Sequence, residues 1–283
     1  MANFLLCFSL LLGGVVSQST SVYKEPLVRL YADEAPGILQ ITYWPADMSG
    51  PEPVNVDGTG FLIGREGYFI TAAHVLQRYD AQTHRLTAVI HQRKYGGAGM
   101  WFDVVEKDEK HDIALCKILY FSSMKEPKGK LLNGRAPETF SPFVSLPITS
   151  DAPVPGQEIA LLGFPLGSWA SPVIQGGNVG ATNAMLDAVQ QFPVGRSELL
   201  ILSVSGNHGD SGGPIVDTYT GKVVGMVIQY VPAPLVQGVS QQSGLMVAIP
   251  ARWITDILER NHVAYTPVLK SEDLVLGKEA EKH

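Results

Sequence analysis

Short apolar segments recur along this chain with turn residues between them, and a chain divided in that way cannot build long amphipathic helices over most of its length. Ile38–Trp44, Gly60–Ile63, Tyr68–Thr71, Leu86–Ile90, Trp101–Val105 and Ile113–Leu119 form a first set. Gln157–Leu162, Leu199–Val204, Pro214–Asp217, Lys222–Tyr230 and Gly244–Ile249 form a second. In the first segment Leu39, Ile41 and Tyr43 alternate with Gln40 and Thr42, the period of a half-buried strand, and Gly64-Arg65-Glu66-Gly67 supplies a hairpin turn. The 29 glycines and 19 prolines among 283 residues agree with a turn-rich, all-β chain.

Between the two sets, Ser122 to Pro142 holds four Lys or Arg, three prolines and little apolar periodicity, and reads as a linker. Pro250 opens a helix in which Trp253, Ile254, Ile257 and Leu258 share one face and which Asn261 ends. The expected organisation is a leader at 1–17, an extension at 18–36, a first β unit at 37–121, the linker at 122–142, a second β unit at 143–249, the helix at 250–261 and a polar tail at 262–283.

The leader is inferred from Phe4 to Val16, an apolar run of 13 residues that is too short to span a bilayer. It has the length of a signal-peptide core, and Val15 and Ser17 suit the positions before a cleavage at Gln18, so the chain is expected to be secreted. No Lys or Arg lies near Met1, which keeps an uncleaved apolar anchor as the alternative. No later stretch is long and apolar enough to cross a membrane. Of the two cysteines, Cys7 falls in the leader and Cys116 in an apolar strand, so no internal disulfide is expected and Cys116 reads as an inert core thiol. With 21 Lys and Arg against 27 Asp and Glu, and no basic run to displace counterions from phosphates, nucleic acid is excluded as a partner.

Three motifs carry chemistry. Gly206-Asn207-His208-Gly209-Asp210-Ser211-Gly212-Gly213-Pro214 sets a serine among glycines, where its hydroxyl stands on an exposed turn and adjacent backbone N–H groups can converge on an oxyanion. Thr71-Ala72-Ala73-His74-Val75 places a histidine directly after a strand, and His111-Asp112-Ile113-Ala114-Leu115 places a carboxylate at the mouth of another. Each alone has a structural reading, as a glycine turn, a core histidine and a turn aspartate. Their joint occurrence in the order His, Asp, Ser points to nucleophilic catalysis. His84 and His91 have no carboxylate or thiol at ligand spacing and read as solvated, so neither a metal nor another cofactor is expected.

Those motifs, with Gly58-Thr-Gly-Phe-Leu-Ile, Tyr68-Phe-Ile-Thr-Ala-Ala-His74, Pro155-Gly-Gln-Glu-Ile-Ala-Leu-Leu-Gly-Phe-Pro-Leu-Gly167, Gly221-Lys-Val-Val-Gly225 and Val247-Ala-Ile-Pro250, resemble the chymotrypsin-like serine protease superfamily, and its HtrA-like branch most. The resemblance runs from about Gly37 to Arg260. It implies two antiparallel β-barrels with the active site in the cleft between them, and the two sets of strands become those barrels. HtrA-like proteins usually carry a C-terminal PDZ domain, for which no room is expected here, and Asn where Asp210 stands. Digestive relatives have Asp at that place but also an Ile-Val-Gly-Gly-like start and several disulfides, none of which is found. Asp210 is therefore expected to accept local hydrogen bonds rather than pair with a newly cut amino terminus.

Carried onto these residues, the resemblance implies that Ser211 attacks, His74 takes and returns its proton, Asp112 orients the imidazole, and the N–H groups of Gly209 and Ser211 hold the oxyanion. Asp103 and Asp108 are weaker candidates for the acid, and His111 is a bystander. Ser205 falls at the base of the primary specificity pocket, Ile228, Gln229 and Tyr230 on its wall, and His208 at the edge of the cleft. A serine at the base cannot offset the desolvation of a substrate Lys or Arg, so basic side chains should be poor. Tyr230 either narrows the pocket for Ala- or Val-sized residues or points away from it. The expected partner is an extended, unfolded polypeptide paired as an added strand. Two rivals share the motif. Gly209-Asp-Ser211-Gly-Gly213 also fits the G-x-S-x-G elbow of esterases, though that elbow needs a following helix and the order Ser, acid, His. A protease fold kept only for binding is the other.

Overall fold

The alternating stretch at Leu39, Ile41 and Tyr43 forms strand β1, Ile38–Pro45, with all three side chains buried; Gln40 and Thr42 on the other face are buried as well, so the strand is covered on both faces rather than half-buried. The computed structural model describes residues 26–45, 55–64, 66–77, 84–90, 98–123, 126–131, 144–167, 171–184, 198–232 and 242–265. The leader at 1–17 and most of the tail after 261 lie outside these residues. Among the described residues no helix is long and apolar enough to cross a membrane.

Barrel one continues with β2, Asn55–Ile63, β3, Tyr68–Ala72, β4, His84–Ile90, β5, Ala98–Asp108, and β6, Ile113–Ser123. The order β3-β2-β1-β4-β5-β6 closes on itself through antiparallel β3–β6 pairing, Phe69 opposite Cys116 and Thr71 opposite Ala114. A further strand, β7, Glu126–Leu131, pairs with the end of β6. It lies inside the stretch expected to be linker, because backbone pairing to Tyr120 and Phe121 requires no apolar alternation.

The second barrel comprises β8, Glu158–Gly163, β9, Val173–Ala184, β10, Leu199–Ser203, β11, Pro214–Asp217, β12, Val223–Pro232, and β13, Gln242–Pro250. Its closed order is β10-β13-β12-β11-β8-β9. The fold is thus two closed antiparallel β-barrels, followed by α2, Ala251–Arg260. Pro250 is the N-cap of α2, and its inward face is Trp253, Ile254, Ile257 and Leu258, the stripe expected from the sequence. Full burial of an aliphatic side chain such as Ile254 or Ile257 is worth about 1.5–3 kcal/mol. The C-terminal end of α2 is tied to barrel one, where Arg260 Nε donates to Glu106 at 2.9 Å and an Arg260 Nη to Asp108 at 3.2 Å.

The sequence extension at 18–36 contains an unexpected helix, α1, Pro26–Glu34, which buries Leu30 and sets Leu27 over Gly176 of β9. Two apolar clusters organise the interior. One fills barrel one and crosses the seam through Leu162, Phe164, Val216 and Ile228. The other, with Leu161, Leu202, Ile215 and Met246, fills barrel two. A shared cluster across the seam fixes the two barrels against each other, which is what a site assembled from both requires.

Candidate active site

His74 sits in a short 3₁₀ turn, Ala73–Leu76, that follows β3, so the end of a buried strand delivers its ring. Its Nδ1 lies 2.6 Å from Asp112 Oδ2, and its backbone N–H donates to Asp112 Oδ1 at 2.8 Å. Asp112 is 3% exposed and takes φ +57°, a left-handed conformation that Asp tolerates better than most residues. That conformation is held from both sides, since Asp112 O also accepts the Ala73 N–H at 3.1 Å. His111 points elsewhere. Its Nδ1 is 2.8 Å from Asp108 Oδ2, and its ring lies 4.3 Å from that of Trp253 on α2. Asp108 therefore serves a second His–Asp pair, away from His74.

Ser211 comes from barrel two, in the loop between β10 and β11. Barrel one grips it: the Thr59 N–H donates to Ser211 O at 2.8 Å, and a Cβ on neighbouring Gly58 would fall 2.8 Å from that oxygen and 2.6 Å from a methyl of Val75. Glycine at 58 is what lets the serine loop approach the segment bearing His74. Ser211 Oγ donates to the Ile228 carbonyl at 3.5 Å, the outer edge of hydrogen-bonding distance. Ile228 lies where the β12–β13 register slips, and such a bulge re-aims the backbone toward the loop.

The loop before Ser211 is a turn closed by the Asp210 N–H on Asn207 O at 3.1 Å. Gly209 takes φ +98° in it, as the third residue of a type II turn does, and a Cβ there would fall 2.2 Å from Phe164 O. Among the described residues neither the Gly209 nor the Ser211 N–H donates to another group. Asp210 is wholly buried. Its Oδ2 accepts the Asn207 N–H at 2.9 Å, while Oδ1 finds no hydrogen-bond partner among the described residues. Burial pushes its carboxyl up to about 6, against the pull of the Asn207 N–H and the Gln175 side chain.

Of the residues expected to bind substrate, Ser205 and His208 lie in the same loop and Ile228, Gln229 and Tyr230 on β12. Ser205 and His208 are exposed, Gln229 and Tyr230 are partly buried, and Ile228 is buried. Tyr230 stands directly opposite Met246 in the β12–β13 register, so the two share a face, and Met246 abuts Gly206, where a Cβ would fall 2.6 Å from its Cε. The Tyr230 ring meets that of His208 nearly edge-on, with centroids 5.5 Å apart. Met246 was not among the expected residues, and only the strand register brings it to Gly206.

Ser211 is followed by strand β11 rather than a helix, which is the wrong local structure for an esterase elbow. The family model of the trypsin-like peptidase domain matches residues 58–226. The chain belongs to that family. Among curated relatives of this peptidase domain, serine protease HTRA1B of Danio rerio is 27% identical over 238 residues, which cover 81% of this chain and 40% of that protein. Serine protease HTRA1 of Xenopus tropicalis is 28% identical over 213 residues, 72% of this chain and 36% of its own. Serine protease HTRA4 of Mus musculus is 27% identical over 223 residues, 76% and 36% respectively. The chain thus spans about two fifths of the length of these relatives.

Proposed function

We propose that this chain is a serine endopeptidase that cuts extended polypeptide through an acyl-enzyme, with Ser211 as nucleophile, His74 as general base and acid, and Asp112 as the group that orients the imidazole. The observation that carries the reading is the 2.6 Å contact between His74 Nδ1 and the buried Asp112 carboxylate. A hydrogen bond there assigns the proton to Nδ1 and leaves Nε2 as the basic nitrogen, the tautomer needed to take a proton from a serine hydroxyl. As the proton moves to His74, the carboxylate stabilises the imidazolium. The tetrahedral intermediate then places its oxyanion at the N–H groups of Gly209 and Ser211, each such donor being worth about 3–4 kcal/mol. Collapse expels the amine with the proton from His74, and water repeats the sequence on the ester.

Substrate preference follows from the groups beside Ser211. Ser205 carries no charge to compensate a buried Lys or Arg, and Met246 behind Gly206 presents a thioether and methyl. Tyr230 with His208 in contact narrows the approach. Small and medium aliphatic side chains are preferred before the scissile bond, and backbone groups of Gln229 to Val231 pair with the substrate as an added strand. The N-terminal leader makes the protein an exported one.

The test is proteolysis of a peptide library with labelling by a fluorophosphonate. The parent labels at Ser211 and cuts after aliphatic residues, and Ser211→Ala abolishes both, a loss of about 10⁶ in kcat as for other triads. Proteolysis retained by purified Ser211→Ala refutes the assignment. A folded parent that neither labels nor cuts makes the domain a binding module, and cleavage mainly after Arg or Lys overturns the pocket argument.

A further inference from the structure

Thr59, on β2 of barrel one, is fully buried and makes contacts that an ordinary strand residue does not need. Its hydroxyl donates to Gly209 O at 2.6 Å and accepts the Phe164 N–H at 3.0 Å, while its backbone N–H donates to Ser211 O at 2.8 Å. Its carbonyl in turn accepts the Thr71 hydroxyl at 2.7 Å, which ties it to the strand leading to His74. One residue of barrel one thus holds two peptide groups of the serine loop and a third, at Phe164, of the segment stacked on that loop.

The consequence for the loop follows from peptide geometry. Because a trans peptide points its C=O and N–H in opposite directions, fixing one end fixes the other. The Gly209–Asp210 peptide is held at both ends, by the Thr59 hydroxyl on its carbonyl and by Asn207 O on its N–H. The preceding His208–Gly209 peptide has its carbonyl on the Leu166 N–H at 2.5 Å, so the Gly209 N–H is turned away from Leu166. Leu166 itself takes φ +60°, a strained conformation for leucine, and its segment is kept there by Phe164 on Thr59 and by Gln40 Nε2 donating to Gly167 O at 2.7 Å. Three of these holds come from barrel-one side chains, two from Thr59 and one from Gln40, and the Thr59 hydroxyl is the group common to the loop and its support.

We propose that Thr59 is a positioning residue for the oxyanion hole: its hydroxyl sets the orientation of the Gly209 N–H before substrate arrives. The proposal rests on the peptidase reading above. It makes barrel one, the source of the base, also the part that preorganises the electrostatic site on barrel two.

The experiment compares Thr59→Val, which keeps the shape and removes the hydroxyl, with Thr59→Ser, which keeps the hydroxyl. Thr42→Val is the control, since it removes another buried hydroxyl, one paired with Thr87 at 2.6 Å between β1 and β4 and bonded to neither the serine loop nor Phe164. Rates are normalised to fluorophosphonate-titrated sites, and a peptide aldehyde serves as the tetrahedral probe. Thr59→Val should lower kcat at least tenfold with KM within twofold and raise the aldehyde Ki at least tenfold. Thr59→Ser should restore kcat to within threefold, and Thr42→Val should lower Tm with kcat unchanged. Equal kcat in parent and Thr59→Val, or an equal fall in the Ser and Val variants, overturns the proposal. If Thr59→Val does not fold, Thr59→Ala against Thr59→Ser carries the same contrast. A parent that neither labels nor hydrolyses refutes the peptidase reading itself, which these outcomes keep distinct.

Discussion

Replacing Asp210 by Asn isolates the cost of a buried charge beside the nucleophile. The carboxyl is raised from 3.8 to about 6, a displacement of about two pH units, and at ~1.4 kcal/mol per unit this is ~3 kcal/mol. The sign follows from proton binding. Between those limits the folded chain holds more protons on Asp210 than the unfolded chain, so stability falls as pH rises through the window and the whole penalty is present above about 6. Asn at 210 does not titrate, and the cost or gain of exchanging one oxygen for NH₂ is the same at every pH. Urea unfolding of the parent and Asp210→Asn, both in a Ser211→Ala background to prevent self-digestion, should therefore show the variant gaining ~2.5 kcal/mol on the parent between pH 4 and pH 8, the remainder of the penalty being present already at pH 4. A difference between the two that stays constant within ~0.5 kcal/mol across that range refutes the argument and means that Oδ1 is solvated or paired in solution.

Two further outcomes are expected. Glu34, 7% exposed and with Oε2 unbonded among the described residues, is raised from 4.5 to about 8 by burial and then by the charge of Asp33. Parent stability should fall between pH 5 and 9 while Glu34→Gln loses at least ~2 kcal/mol less, or about 5 °C in Tm, and parallel melting curves across that range would disprove it. Gly209→Ala should cut kcat at least 10²-fold, because its Cβ, 2.2 Å from Phe164 O at φ +98°, forces the turn and its N–H out of place; near-parental turnover at saturating substrate would show that this N–H is not used.

The motifs around His74, Asp112 and Ser211 were legible because each is local: a strand end, an aspartate before an apolar strand, a glycine-flanked serine. The strands with clear alternation or apolar runs were equally readable. Strand β9 was not, since Val-Ile-Gln-Gly-Gly-Asn-Val-Gly-Ala-Thr-Asn-Ala offers neither alternation nor a continuous apolar run, and it is held by its two neighbours in the barrel. β7 was hidden for the same reason, and α1 because its burial depends on β9 and the turn at Gly221. Thr59 and Met246 escaped because their partners lie far along the chain, Gly209 being 150 residues from Thr59. A side chain's neighbours across a seam leave no trace in its own segment.

That separation has a consequence for how the molecule comes to life. The chain leaves the ribosome amino terminus first, so barrel one, with its His74–Asp112 contact, can be complete while β11 to β13 are still unmade. Closing a loop of 150 residues to bring Gly209 onto Thr59 is a late and entropically costly step, of the kind that makes high-contact-order folds slow. Until it closes, the serine loop has no barrel-one hydroxyl on its carbonyl and no amide on Ser211 O. On the peptidase reading proposed above, a nascent or half-folded copy therefore has little power to cut its neighbours during the interval in which their own strands are most exposed to cutting.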